Sequence, residues 1–123
     1  MKLRLRTFRT YQARMGAIGS RDLDEVGERA RGACDEMNVM GGCKTGVDFL
    51  IAGLPSLRGE SSATRVGEIE GAAFRAERDC RKTTSVGSAQ NAACRIGALL
   101  GQLAAEQVLE EKGLLISIPK REF

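Results

Sequence analysis

From Ser20 onward the chain is patterned at helical spacing. Leu23, Val26, Ala30, Ala33, Cys34 and Met37 recur at steps of three and four, which lays one apolar stripe along a helix. Ser20 is placed to cap that helix, and Asp22, Asp24 and Glu25 fill its first turn, where the helix dipole favours anions. The helix is expected to end between Asn38 and Gly42, with Gly41-Gly42 supplying the left-handed backbone that stops it. The short apolar run "GVDFLIAG", residues 46–53, fits a short helix better than a buried strand. Thr45 stands before it like a cap, three residues ahead of Asp48, and Gly53 follows. Pro55 closes this segment, and "SLRGESSAT", residues 56–64, reads as a loop.

The region 64–112 is helical in pattern throughout. One unbroken helix of that length would span about 70 Å, whereas a domain of this size is only about 30–40 Å across. A break is therefore expected near residues 83–88, "TTSVGS", where β-branched residues, Ser and Gly cluster. After that break the helix carries two opposed apolar stripes. Ala89, Ala93, Ile96, Leu100 and Leu103 form one; Cys94, Gly97, Gly101, Ala104 and Val108 form the other. The small stripe continues backward in heptad phase through Val66, Ile69, Ala73, Ala76 and Cys80. A helix apolar on two faces must be covered on both. The large-residue face is expected to meet the rest of the domain. The small-residue face then serves either the interior of a monomer or an oligomer interface made by Cys94, Gly97, Gly101, Ala104 and Val108.

Both ends of the chain read differently. "KLRLRTF", residues 2–8, alternates polar and apolar at the strand period, and "LLISIP", residues 114–119, reads as a short strand ended by Pro119. The two are able to pair beside the helices. The expected architecture is one domain over 1–123, mainly α, a bundle of three to five helices with a two-stranded pairing of the termini. Its parts are a basic arm or strand (1–19), a helical segment (20–54), a long broken helical region (64–112) and a C-terminal strand (114–119).

Composition narrows the chemistry. With four Phe, one Tyr, no Trp and 15 Gly, the core must pack by close backbone approach rather than by filling space with rings. Histidine is absent, which removes the usual acid–base group at neutral pH, the His-paired nucleophiles and most catalytic zinc sites. The four cysteines, Cys34, Cys43, Cys80 and Cys94, form no C-x-x-C motif. They are read as buried, reduced thiols of a cytoplasmic protein, in a chain whose N-terminus lacks the apolar core of a secretory signal. No apolar run reaches the roughly 20 residues of a membrane span.

"MGGCKTG", residues 40–46, superficially resembles a phosphate-binding loop. Aligned on Lys44-Thr45, however, both required glycine positions are occupied otherwise, by Asn38 and Cys43, and a helix rather than a strand precedes it. No cofactor, metal or catalytic residue is assigned.

Charge is unevenly distributed. Residues 1–21 hold six cations and no acid, although the whole chain is only +3. Lys2, Arg4, Arg6, Arg9 and Arg14 are the candidate contacts for a nucleic acid or an acidic protein partner. A solvated edge strand whose charges discourage aggregation explains the same pattern. The carboxylates Glu106, Glu110 and Glu111 read as a solvated helix end, and Arg75, Arg78, Arg81 and Lys82 as an exposed face paired with Glu77 and Asp79. Taken together, these features point to a non-enzymatic interaction protein: a regulator, adaptor or inhibitor acting by protein binding, homo-oligomeric, and suited by its Arg-rich composition to a bacterium or phage. The alternative is a nucleic-acid-binding protein using the basic arm.

Overall fold

The computed structural model of the chain describes residues 18–39, 41–56, 62–83 and 88–115. Four helices make up the described fold: α1 (Ser20–Glu36), α2 (Gly42–Gly53), α3 (Ser62–Thr83) and α4 (Ser88–Glu111), with a 3-10 turn at Leu54–Ser56 after α2. The expected mainly α bundle is what forms, and no strand occurs among the described residues. Residues 2–8 and most of 114–119 lie outside them. Leu114 and Leu115 are not in a strand, and Leu115 is buried against the helices.

The boundaries follow from local chemistry, with three departures from expectation. The N-cap of α1 is Gly19, not Ser20, and no side chain caps it. At the other end, Asn38 rather than Gly41-Gly42 takes the left-handed backbone, at φ 54°. The Asn38 N–H donates to Asp35 O and the Val39 N–H to Cys34 O, which satisfies two carbonyls at the helix end. Gly41 and Gly42 instead open α2, four residues ahead of the start implied by a cap at Thr45. Gly113 ends α4 in the same way at φ 76°, with Gly113 N–H donating to Glu110 O and Leu114 N–H to Leu109 O. The expected break near 83–88 separates α3 from α4.

Close contacts fix the directions of the helices. Lys112, just past the end of α4, pairs with Asp22 in the first turn of α1, so α1 runs opposite to α4. The Gly42–Ala93 and Gly101–Leu50 approaches set α2 parallel to α4. Gly53 approaches Ala72 while Gly42 O lies 3.4 Å from Cys80 Sγ, so α3 opposes α2. The result is an up-down-up-down bundle in which α2 and α4, the diagonal pair, make the most extensive contact, while α1 and α3 share little.

Glycine permits this short diagonal. A Cβ on Gly97 would stand 1.9 Å from Cys43 O, and one on Gly46 would stand 2.6 Å from Cys94 O. Gly101 faces the Leu50 side chain at about 3 Å. Around this seam lie Val26, Val47, Leu50, Leu54, Ile69, Val108 and Leu109, each at most 1% exposed. Among the described residues, no aromatic ring is fully buried in the core, as the composition implies.

The structure therefore corrects the orientation expected for α4. Its small-residue face points inward, because only that face admits the α2 backbone. Leu99 and Leu103, at 47% and 55% exposure, point outward.

Candidate functional site

The four cysteines are not free thiols. Cys34 is bonded to Cys43 and Cys80 to Cys94, and no free cysteine remains. All four are at most 1% exposed. Each bond spans one helix–helix junction, α1 to α2 and α3 to α4, and the up-down-up-down order puts both at the same end of the bundle. Cys80 Sγ touches Gly42 O at 3.4 Å; a bonded sulfur carries no proton, so this is packing and not a hydrogen bond. The expectation of reduced cysteines is corrected accordingly. A signal for it was present in the sequence: each pair straddles a predicted helix break, at 38–42 and at 83–88.

The opposite end of the bundle is held by charge. Arg29, half-buried on α1, donates to both carboxylate oxygens of Glu111 at 2.6 and 2.9 Å and to Glu25 at 2.8 Å. Lys112 reaches Asp22 at 3.3 Å and Glu25 at 3.4 Å. Arg29 thus joins the two carboxylate groups of the sequence, and Lys112, just past α4, pairs with the first of them. The Arg29 hydrogen bond holds the Glu111 carboxyl below its ordinary range, and Glu111 in turn raises the Arg29 guanidinium. Lys112 is raised chiefly by its bond to Asp22, then by Glu25. Among the described residues no group of three or more His, Cys, Asp or Glu is arranged to hold a metal ion. Lys44, which gave the resemblance to a phosphate loop, pairs with Asp35 at 2.8 Å.

The residues singled out as an oligomer interface are inside the chain. Cys94, Gly97, Gly101, Ala104 and Val108 are buried, Cys94 and Val108 at 0% and Ala104 at 5%, with α2 seated on the glycines. They offer no surface to a second molecule, because the chain's own α2 occupies the close approach they allow. The candidate nucleic-acid contacts Lys2, Arg4, Arg6, Arg9 and Arg14 lie outside the described residues.

Two surfaces stand out among the described residues. On α3, Phe74 is 77% exposed among Arg75, Arg78, Arg81 and Lys82, where Glu77 pairs with Arg81 and Asp79 with Arg78. The expected self-pairing thus holds for two of those four cations. On α4, exposed Leu99 and Leu103 combine with half-buried Ile96 and Leu100 into a continuous apolar strip. Arg65, on α3, is a charged side chain only 3% exposed; nothing in its sequence context marked it.

The chain is a four-helix bundle among the described residues, and none of its helices there is long and apolar enough to cross a membrane. Compared with protein-family models, curated proteins and solved structures, it matches none.

Proposed function

We propose that this protein acts by binding another protein, without catalysing a reaction, and that the outward face of α4 is its contact surface. The observation that carries this reading is the pair Leu99 and Leu103, about half exposed beside Ile96 and Leu100 on one helix face. Leucines at this spacing have a full inner alternative on most bundle helices; here the glycine seam takes the inside and leaves them to solvent. Clustered exposed apolar side chains mark interaction sites more often than scattered ones do. A regulator, adaptor or inhibitor would work through such a face.

The test is site-specific cross-linking. A photo-reactive residue at position 99 or 103 should give a discrete adduct with a protein partner, while the same residue at exposed Glu70 on α3 should not. Equal labelling from all three positions would remove the assignment.

The cytoplasmic setting rests on an N-terminus without the apolar core of a secretory signal, from which the cysteines are read as reduced. With both pairs bonded, an oxidising compartment is the setting we propose instead. A second reading is favoured by the six acid-free cations of residues 1–21: the arm binds nucleic acid. It requires filter binding that weakens steeply with salt and disappears on removal of residues 1–9; no binding at low salt eliminates it.

A further inference from the structure

Resting on that assignment of the α4 face, we infer that its occupant is a second copy of this chain, packed antiparallel about a two-fold axis passing between Leu99 and Leu103. The argument is one of charge placement. Arg95, Leu99, Leu103, Glu106 and Glu110 fall within about 80° of one another around the helix. Arg95 is exposed at the N-terminal end of the apolar strip; Glu106, half-buried, and Glu110, exposed, stand at its C-terminal end. No carboxylate occurs three or four positions from Arg95 in the sequence, so its own helix offers it no partner.

Arg95 and Glu106 are about 16 Å apart along the axis. Antiparallel packing over the strip sets Leu99 against Leu103 of the second copy. It sets Arg95 beside Glu106 of the second copy and within one turn of Glu110. The two-fold axis repeats each contact, as an isologous interface requires. Parallel packing would instead put Arg95 on Arg95 and Glu106 on Glu106, which like-charge repulsion opposes. The face is therefore self-complementary in one direction only. Nothing else is needed from the buried Gly97 and Gly101 seam, which stays within each chain.

The experiment is sedimentation equilibrium of the full oxidised chain, with charge reversals. The wild type should sediment at twice the 13.2 kDa chain mass. Arg95→Glu and Glu106→Arg should each weaken dimerisation about tenfold or more, and the double variant should recover most of that loss. Leu99→Glu, at an exposed position that the fold does not need, should give a folded monomer by circular dichroism. A wild-type monomer at high micromolar concentration overturns the inference, as does a dimer indifferent to Leu99→Glu or a double variant no better than the single ones. The cross-linking above separates the two levels. A monomer that still gives adducts with another protein from position 99 removes only the second copy; a monomer without adducts removes the α4 face altogether.

Discussion

Replacing Gly97 by Ala isolates the contact on which the bundle depends. On an isolated helix the change is favourable, by about 1 kcal/mol, because Ala loses less backbone entropy. In the folded chain the new methyl would stand 1.9 Å from Cys43 O, 2.7 Å from its carbonyl carbon and 3.0 Å from its Cα. Ordinary contact begins near 3.4 Å, so the α2 backbone must retreat by about 1.5 Å. No rotamer change absorbs this, because the obstacle is main chain. Overpacking costs about 1–3 kcal/mol even where side chains are able to move. A retreat of that size also forfeits a large part of the dispersion contact along the seam. A net loss of about 3 kcal/mol follows, and for a domain of this length that lowers the midpoint of thermal unfolding by roughly 10 °C. Gly32→Ala is the internal control: no described residue lies within 4 Å of the methyl it would add, so it should stabilise by up to about 1 kcal/mol. Gly101→Ala should fall between them, since it meets the Leu50 side chain at 3.0–3.1 Å. Thermal and urea unfolding of the oxidised variants give the ranking directly. If Gly97→Ala is as stable as Gly32→Ala, the diagonal seam is not what holds α2 and α4 together.

Three further outcomes are expected. Denatured, unreduced protein should react with no thiol reagent, and reduction should lower stability by about 2–3 kcal/mol for each of the two short loops, with sequence separations of 9 and 14; four titratable thiols would refute the pairing. Because Glu111 is held low by Arg29, its contribution is present above its unfolded pKa and is lost as pH falls through the lower folded value. Lys112 is raised, so its contribution is complete below its unfolded pKa and is lost as pH rises through the folded one. The thermal midpoint should therefore hold across neutral pH and decline in acid, less steeply in Glu111→Gln and less in high salt; an unchanged acid limb in Glu111→Gln would count against the network. Finally, Arg29→Met should lower the midpoint more at low than at high ionic strength, since it severs both the Glu25 and the Glu111 bonds.

Much of the architecture was legible from periodicity alone. The stripe that begins at Leu23 is a helix whose Val26, Ala30 and Cys34 are buried, although Met37 lies past its end and is exposed, and the break at 83–88 falls where small and β-branched residues interrupt the pattern. Helix ends were less so. Asn38 and the Gly41-Gly42 pair all accept left-handed backbone, and the choice among them depends on which carbonyls need donors in three dimensions. The inside of α4 was read in reverse. Size suggested that the leucine face packs inward, but Gly42 and Gly46 on α2 match Gly97 and Gly101 on α4 at the same four-residue spacing, and backbone proximity outweighs side-chain bulk there. Cysteine spacing carried the disulfides only once the junctions were known, because no local motif joins residues on different helices. The ion network at the far end likewise joins Asp22 to Lys112 and Arg29 to Glu111, far beyond the reach of neighbour rules such as four-residue pairing.

The placement of the two disulfides divides the molecule in an unexpected way. Each closes one helical hairpin, so α1 with α2 and α3 with α4 are separately cross-linked rings, and the only covalent thread between them runs through residues 57–61. Cut there, the chain would become two disulfide-linked hairpins that must recognise each other through glycine-to-backbone fit, the apolar core they share and the ion pairs of Arg29 and Lys112. The bundle is, in that sense, an intramolecular heterodimer, and its halves are ready-made fragments for complementation, with reassembly reporting on the seam itself.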